Sequence, residues 1–440
     1  MIGNRLGVLA CVGLAMGSGQ VALGQNQMGQ NQMGQNQTGQ NRAGQSDWRT
    51  AEAPILTHHR PLTSRDMFTR AGEAYFNPAS SMVIFQATPV PEAGELPSPH
   101  YEMFVAPFTH GPTPDGQGST ISGISTPIRV STGGSANTCG WFHPTQANIV
   151  LFGSTIDPPS EDNVPGYQRG TGRYAWSFPT EMEIVAGSIS STIIPAEDEN
   201  DFHGLRPAIT DVLFPEPGYT AEASWSPDGR TILYAQVDET KSNALGRPDA
   251  DLWIYDTETG ARYPIVRASG YDGGPFFSPC GTKICYRSDR VGNNLLQLFV
   301  AELEMNEDGV PVGLKREIQL TDNEHVNWAP YWHPDGDLLV YASSEVSHRN
   351  YEVFAIWADP AKGSTPVRVT HASGADVLPV FSPDGRYLMW TAQRGPMAEG
   401  EDRPSSQMWI ARVDSEALRA KLREANAGAG DAGVIEADSE

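Results

Sequence analysis

Six prolines, Pro78, Pro144, Pro227, Pro279, Pro334 and Pro383, follow an aromatic residue by two positions, and counting back seven residues from each reaches the most suggestive chemistry in the chain. The positions are Asn137, Thr220, Asp272, Asn327 and Asp376, with Ala71 as the exception. Carboxylates, amides and a hydroxyl in one set supply both donors and acceptors, and Tyr219, Tyr271 and His325 lie beside them. Such a ring suits a peptide terminus, a sugar or a cation. The competing reading is structural: these side chains bond neighbouring backbone and water, with Asp and Asn serving as turn formers.

The other reactive residues are less persuasive. His325, His333, His348 and His371 fall late in the chain, but none is spaced as a metal-binding pair and no H-E-x-x-H occurs. His325 is the one to test as a ligand, whereas His333 stands where Ser226, Ser278 and Ser382 stand and is expected to be structural. Cys285 aligns with Leu233, Val340 and Met389 and belongs in the core, and Cys280 replaces a turn Asp. Cys139 has no His or Lys placed in sequence to activate it. Gly428 to Gly433 matches G-x-G-x-x-G formally but without a flanking strand and helix, and no G-x-S-x-G or Walker loop is present. No catalytic residue, metal site or cofactor is therefore assigned.

The elements that must position the ring are repeats. Trp225-Ser226-Pro227-Asp228-Gly229, Phe277-Ser278-Pro279-Cys280-Gly281, Trp332-His333-Pro334-Asp335-Gly336 and Phe381-Ser382-Pro383-Asp384-Gly385 are clear copies, with degenerate ones at Phe76-Asn77-Pro78 and Phe142-His143-Pro144. Pro sets φ at the second turn position and Gly permits a positive φ at the fourth, which predicts a type I turn. A short apolar strand follows each turn, for example Met82 to Phe85, Ile232 to Tyr234 and Tyr387 to Trp390. A third strand and then a fourth come next, the fourth closing on Val130-Ser131, Ile209-Thr210, Val266-Arg267, Leu320-Thr321 or Val369-Thr370. Four antiparallel strands, six times over, predict an all-β six-bladed β-propeller. The last copy lacks its fourth strand, and Leu62-Thr63 stands fifteen residues before Pro78, as Thr321 stands thirteen before Pro334. The N-terminal strand is therefore expected to complete the blade of Pro383. Long intervals around the second blade predict inserted loops near Asp157 to Tyr174 and Ile194 to Arg206.

From about Pro61 to Asp414 this repeat resembles the TolB-type propeller repeat, specific for fold and far less so for function. The resemblance implies an exported TolB-like protein. It departs from TolB in having no sizeable α/β domain before the first blade, which weakens any direct role in a Tol-Pal system. Some propellers resembling this one are lyases of acidic sugars that use a channel-mouth histidine and a divalent metal. Under that resemblance His325, Asp272 and Asp376 would be the candidates here.

Composition sets the compartment and the partners. With 30 Lys and Arg against 53 Asp and Glu, the formal charge of -23 opposes binding to nucleic acid or anionic lipid. Arg5, the apolar run from Leu6 to Met16 and the small residues at Ala22 and Gly24 predict a signal peptide over 1–24, cleaved near Gly24/Gln25. A lipobox ending at Cys11 fits worse, because few apolar residues precede it. Residues 25–50, with repeated Gln-Asn-Gln units, read as a flexible tether. The propeller is expected over 51–414, and a short helix with a disordered acidic tail over 415–440. No later segment reads as a membrane span. The expected function is a non-catalytic binding module of the periplasm or cell envelope, monomeric, recognising a protein or peptide. The alternatives are a carbohydrate-active enzyme of the oligogalacturonate-lyase type and a structural envelope protein.

Overall fold

The computed structural model describes residues 47–427 except 114, 115, 117, 161–165, 168–175 and 190–207. The expected signal peptide, nearly all of the tether, the Gly428 to Gly433 segment and the loop near Ile194 to Arg206 lie outside the described residues, as does most of the loop near Asp157 to Tyr174. The rest forms six antiparallel sheets arranged as a six-bladed propeller, with a separate two-stranded ribbon of Gly166–Tyr167 and Trp176–Ser177. Each inner strand begins at the face called upper here, and its partners run outward in chain order in blades one to five.

The inner strands are Phe68–Phe76, Asn137–Phe142, Thr220–Trp225, Asp272–Phe277, Asn327–Trp332 and Asp376–Phe381, one for each of blades one to six. Second strands follow at Met82–Pro89, Ile149–Ser154, Thr231–Val237, Lys283–Ser288, Leu338–Ser347 and Tyr387–Ala392. The third strand of blade two, the least legible in the sequence, spans Glu183–Ser188 and pairs with Ala208–Val212 outside it. Blade one adds a feature that the repeat does not announce. Its third strand, Glu102–Pro112, runs on past the outer strand Ile128–Arg129 and pairs there with Ser119–Ile124.

Each part of the repeat has a physical task. In the turns of blades three and six, Ser226 and Ser382 Oγ accept from the amides of Thr231 and Tyr387 at 2.9 and 3.0 Å. The Asp228 and Asp384 carboxylates accept from Arg230 and Arg386 amides at 3.0 and 3.1 Å. Gly385 needs its positive φ of 68° and also lies so near the previous blade that an added Cβ would meet Pro334 at 3.3 Å. Successive turns thus abut around the lower face. An aromatic residue of each second strand, Phe85, Phe152, Tyr234, Tyr286, Tyr341 or Trp390, is fully buried, one for every blade. The Leu-Thr pair tightens the outer strand: Thr63, Ser131, Thr321 and Thr370 hydroxyls accept from third-strand amides of Met408, Met103, Leu298 and Val353 at 2.8 to 3.0 Å.

The expected closure is present. Leu56–Pro61 pairs antiparallel with Gln407–Val413 as the fourth strand of blade six, so that sheet is built from both ends of the propeller. Ahead of it, α1 (Trp48–Glu52) sends Glu52 into the blade. A second helix, α2 (Glu239–Leu245), sits between the second and third strands of blade three. After Val413 comes α3 (Ser415–Ala425), capped by Asp414, which buries Leu418 and Leu422 against Leu338, Val353 and Trp357.

Candidate functional site

The inner strands share a distortion at the centre of the molecule. Each is bulged, with a register shift against its second strand, and the bulge residue has a positive φ in every blade. These residues stand five before the repeat prolines: Glu73, Cys139, Glu222, Gly274, Ala329 and Leu378, with φ between 41° and 58°. A bulge re-aims a side chain, and here it turns all six toward one cavity on the axis, which Tyr75, Phe276 and Arg287 also line. Its volume at water-molecule centres is about 20 Å³, room for one or two waters.

One side of this cavity is charged and the other is not. Glu222 accepts from Tyr271 Oη at 2.7 and 2.8 Å, from Arg287 at 3.1 Å and from the Gly274 amide at 2.5 Å, with Tyr219 Oη at 3.3 Å. Arg287 also donates to Tyr271 Oη at 2.7 Å. Among the described residues the Glu73 carboxylate instead receives neutral donors alone: Cys139 Sγ at 2.9 Å, Thr138 Oγ1 at 3.2 Å and Tyr75 Oη at 3.4 Å. Burial raises the proton affinity of Glu73, and the Glu222 charge adds to it. Burial likewise pushes the Cys139 thiol well up, with Glu73 and Glu222 reinforcing it, so the thiol is a donor and not a nucleophile. Ala329 and Leu378 complete the apolar side.

Below the cavity the axis is filled by four rings. Tyr75, Trp141, Phe276 and Tyr331, from blades one, two, four and five, have all their centroids within 4.9 to 6.3 Å of one another. Offset and tilted packing of this kind is favourable beyond simple burial. The aromatic cluster makes the upper mouth the approach to the cavity.

The residues read from the sequence as a polar ring are at the upper ends of the inner strands, and each is 0 to 2% exposed. Asn137 donates to the Tyr101 carbonyl of blade one at 2.9 Å, and Asn327 donates to Asn323 and to Gln297 of blade four at 2.8 and 3.1 Å. Asp272 meets Arg290 at 3.3 Å and the Ala268 amide at 3.1 Å, and Asp376 meets Arg394 at 2.5 Å. Thr220 is fully buried, its amide donating to Met182 O of blade two at 2.9 Å. Asn137, Thr220 and Asn327 therefore bond to the preceding blade, while Asp272 and Asp376 pair with arginines of their own blades. Tyr219 and Tyr271 do reach the axial cluster through Glu222, while half-buried His325 offers its carbonyl to Gln297 and Asn327.

Among the described residues, one His/Asp/Glu/Cys trio brings its ligand atoms within 4.8 Å of one another, His333, Asp335 and Asp337, so His325, Asp272 and Asp376 do not form one. A cation already stands beside that trio: Arg419 of α3 donates to Asp337 at 2.7 Å and Asp335 at 2.6 Å. His333 Nδ1 accepts from the Asp335 amide at 3.1 Å, and its Nε2 meets Ser415 Oγ at 2.8 Å. His333 thus ties α3 to the turn of blade five.

Asp272 supplies a pH prediction. Burial raises its carboxyl to about 7 against the opposing hydrogen bonds of Ser288 and Arg290. The native state then holds a proton that the unfolded chain has lost, so stability falls as the pH rises from about 4 through about 7. In Asp272→Asn this decline is expected to be shallower, read from urea midpoints between pH 5 and 8; parallel profiles for the two proteins would contradict it.

No family model matches the chain. Among curated proteins it is 26% identical over 179 residues to the Tol-Pal system protein TolB of Wolinella succinogenes, covering 40% of this chain and 38% of that one. It is 30% identical over 131 residues to dipeptidyl-peptidase 5 of Porphyromonas gingivalis, covering 29% and 18%. An uncharacterized protein, Atu1656, of Agrobacterium fabrum is 25% identical over 167 residues, covering 37% and 50%. The matched part spans at most half the length of these relatives. Similar solved structures include a putative TolB from Agrobacterium tumefaciens, at 15% identity and TM-score 0.43, covering 81% of this chain and 97% of that one. An oligogalacturonate lyase in complex with manganese gives 13% and 0.42, covering 83% and 95%. Six bulged blades, their repeated turns and the N-terminal closure make this chain a six-bladed β-propeller, similar over part of its length to a TolB protein.

Proposed function

We propose that the protein is a non-catalytic binding module of the periplasm or cell envelope whose upper face recognises a protein or peptide partner. The observation that carries this reading is the distribution of exposed apolar side chains. Among the described residues the large exposed hydrophobics are Val90, Leu96, Leu245, Val291, Val346 and Met397. All six lie at the connections between second and third strands, in blades one, three, four, five and six. Antiparallel topology puts every such connection on the upper face, around the mouth flanked by Tyr219, Tyr271 and His325. Apolar side chains gathered on one face mark an interaction site more than scattered ones do. The matched Tol-Pal system protein TolB supports a protein partner by analogy only.

A Leu96→Asp/Met397→Asp variant is expected to keep its thermal transition and to lose at least tenfold of its cross-linked capture of an envelope partner. Undiminished capture would remove the upper face from the reading. Turnover on a peptide or uronic-acid substrate panel that vanished with Asp272→Ala or Asp376→Ala would replace a binding module with an enzyme.

A further inference from the structure

The axial cavity has a carboxylate in want of a cation. Arg287 forms its ion pair with Glu222 and attracts Glu73 only over a longer distance. Among the described residues Glu222 and Arg287 cancel, which leaves Glu73 to be neutralised by a proton or by a ligand. Beneath Glu73 lie the rings of Tyr75 and Phe276, and aromatic faces attract cations electrostatically. A carboxylate beside aromatic rings, across the cavity from a balanced Glu222–Arg287 pair, is the chemistry of a site for an organic cation.

Size and access narrow the choice. A space of about 20 Å³ at water centres accepts an ammonium head, which is close to a water molecule in size, and is short of room for the four heavy atoms of a guanidinium. Glu73, Thr138, Cys139, Val377 and Leu378 each keep part of their surface accessible in the middle of the molecule, above the aromatic cluster. Among these, Val377 and Leu378 suit an alkyl stem that carries a charged tip.

We propose that the axial cavity receives the ammonium group of a lysine side chain presented by the partner, with Glu73 as its carboxylate acceptor. The proposal rests on the reading of the upper face as a binding surface, and it names what that partner inserts. Lysine is favoured over arginine by the volume and over norleucine by Glu73.

The test uses the full chain and Nα-acetyl-lysine-N-methylamide as probe, with the norleucine and arginine analogues and cadaverine beside it, titrated by calorimetry or ligand-observed NMR. The lysine probe is expected to bind at least tenfold more tightly than either analogue, and Glu73→Gln is expected to weaken it at least tenfold with its circular dichroism unchanged. Leu378→Lys, which places an ammonium of the protein's own in the cavity, should block the probe even if Glu73→Gln misfolds. Equal binding of norleucine or arginine, undiminished binding by Glu73→Gln, or an unblocked Leu378→Lys would overturn the proposal. Cadaverine binding as tightly as the lysine probe would overturn the assignment to a partner's side chain and make this a site for free amines. Absence of probe binding while partner capture still depends on Leu96 and Met397 would defeat this inference and leave the upper-face reading standing.

Discussion

Arg394→Met is expected to destabilise the propeller by about 3 to 5 kcal/mol, the range for a buried charge left without its partner. The Arg394 side chain is 1% exposed and bridges two carboxylates that are equally hidden, Glu52 of α1 and Asp376 of blade six. It donates to Glu52 at 2.6 and 3.1 Å and to Asp376 at 2.5 and 2.9 Å. Its guanidinium also lies 4.4 Å from the Trp48 ring centroid and 5.0 Å from that of Trp390, so methionine replaces part of the packing but none of the charge. Both carboxylates would then have to take up protons or stay charged in a poorly polarisable interior, Glu52 with only His59 and the His371 amide beside it among the described residues.

The pH dependence separates this explanation from simple loss of packing. Burial works to raise Glu52, but hydrogen bonds from His59 and Arg394 overcome it and hold the carboxyl below its usual range. A depressed carboxyl contributes stability that is present above its unfolded value, near 4.5, and is lost as the pH falls through the folded one. Without Arg394 the sign reverses, because burial then favours the protonated forms. The deficit of Arg394→Met relative to the parent should therefore shrink between pH 7 and pH 5, measured by urea unfolding. A deficit independent of pH would assign the effect to packing around Trp48 instead.

How far the architecture was legible depended on whether a feature had its own residue type. Pro227, Gly229 and their equivalents are dictated by turn geometry, so the blades and their number could be read from spacing alone. Thr63, Thr321 and Thr370 were legible as a pattern, although the reason for it, a hydroxyl accepting a third-strand amide, needed coordinates. The bulge residues left no such sign. A positive φ there is held by the pairing on both sides, and Glu73, Cys139, Glu222, Gly274, Ala329 and Leu378 share no side-chain character. Counting back seven from the repeat prolines reaches buried residues that bond within and between blades, whereas counting back five reaches the cavity. Asn and Asp recur at the earlier position because the buried upper ends of the inner strands need donors and acceptors. Glu52 was illegible for a related reason: its partners Arg394 and His371 lie more than 300 residues away in sequence.

A variant lacking residues 47–63 is expected to show no cooperative thermal transition. The segment supplies the fourth strand of blade six, and Ile55, Leu56 and Leu62 within it are 5%, 1% and 4% exposed. Three such side chains are each worth about 1.5 to 3 kcal/mol in burial, so together they rival the roughly 5 to 15 kcal/mol by which a domain is stable at all. Thr63 and the Glu52 cluster add to the same loss. Deletion would also bare the amides and carbonyls of Gln407–Val413 along a hydrophobic edge, a template for association with other chains. Circular dichroism melting with gel filtration would show this as a lost transition and a shift to large species; a monomer melting at the parent temperature would mean that the closure is dispensable. A synthetic peptide of residues 47–63 added to the variant separates lost pairing from general damage. It should restore the transition, and the same peptide with Glu52→Gln should restore it less well, because the strand would pair while Arg394 kept only one of its two carboxylates.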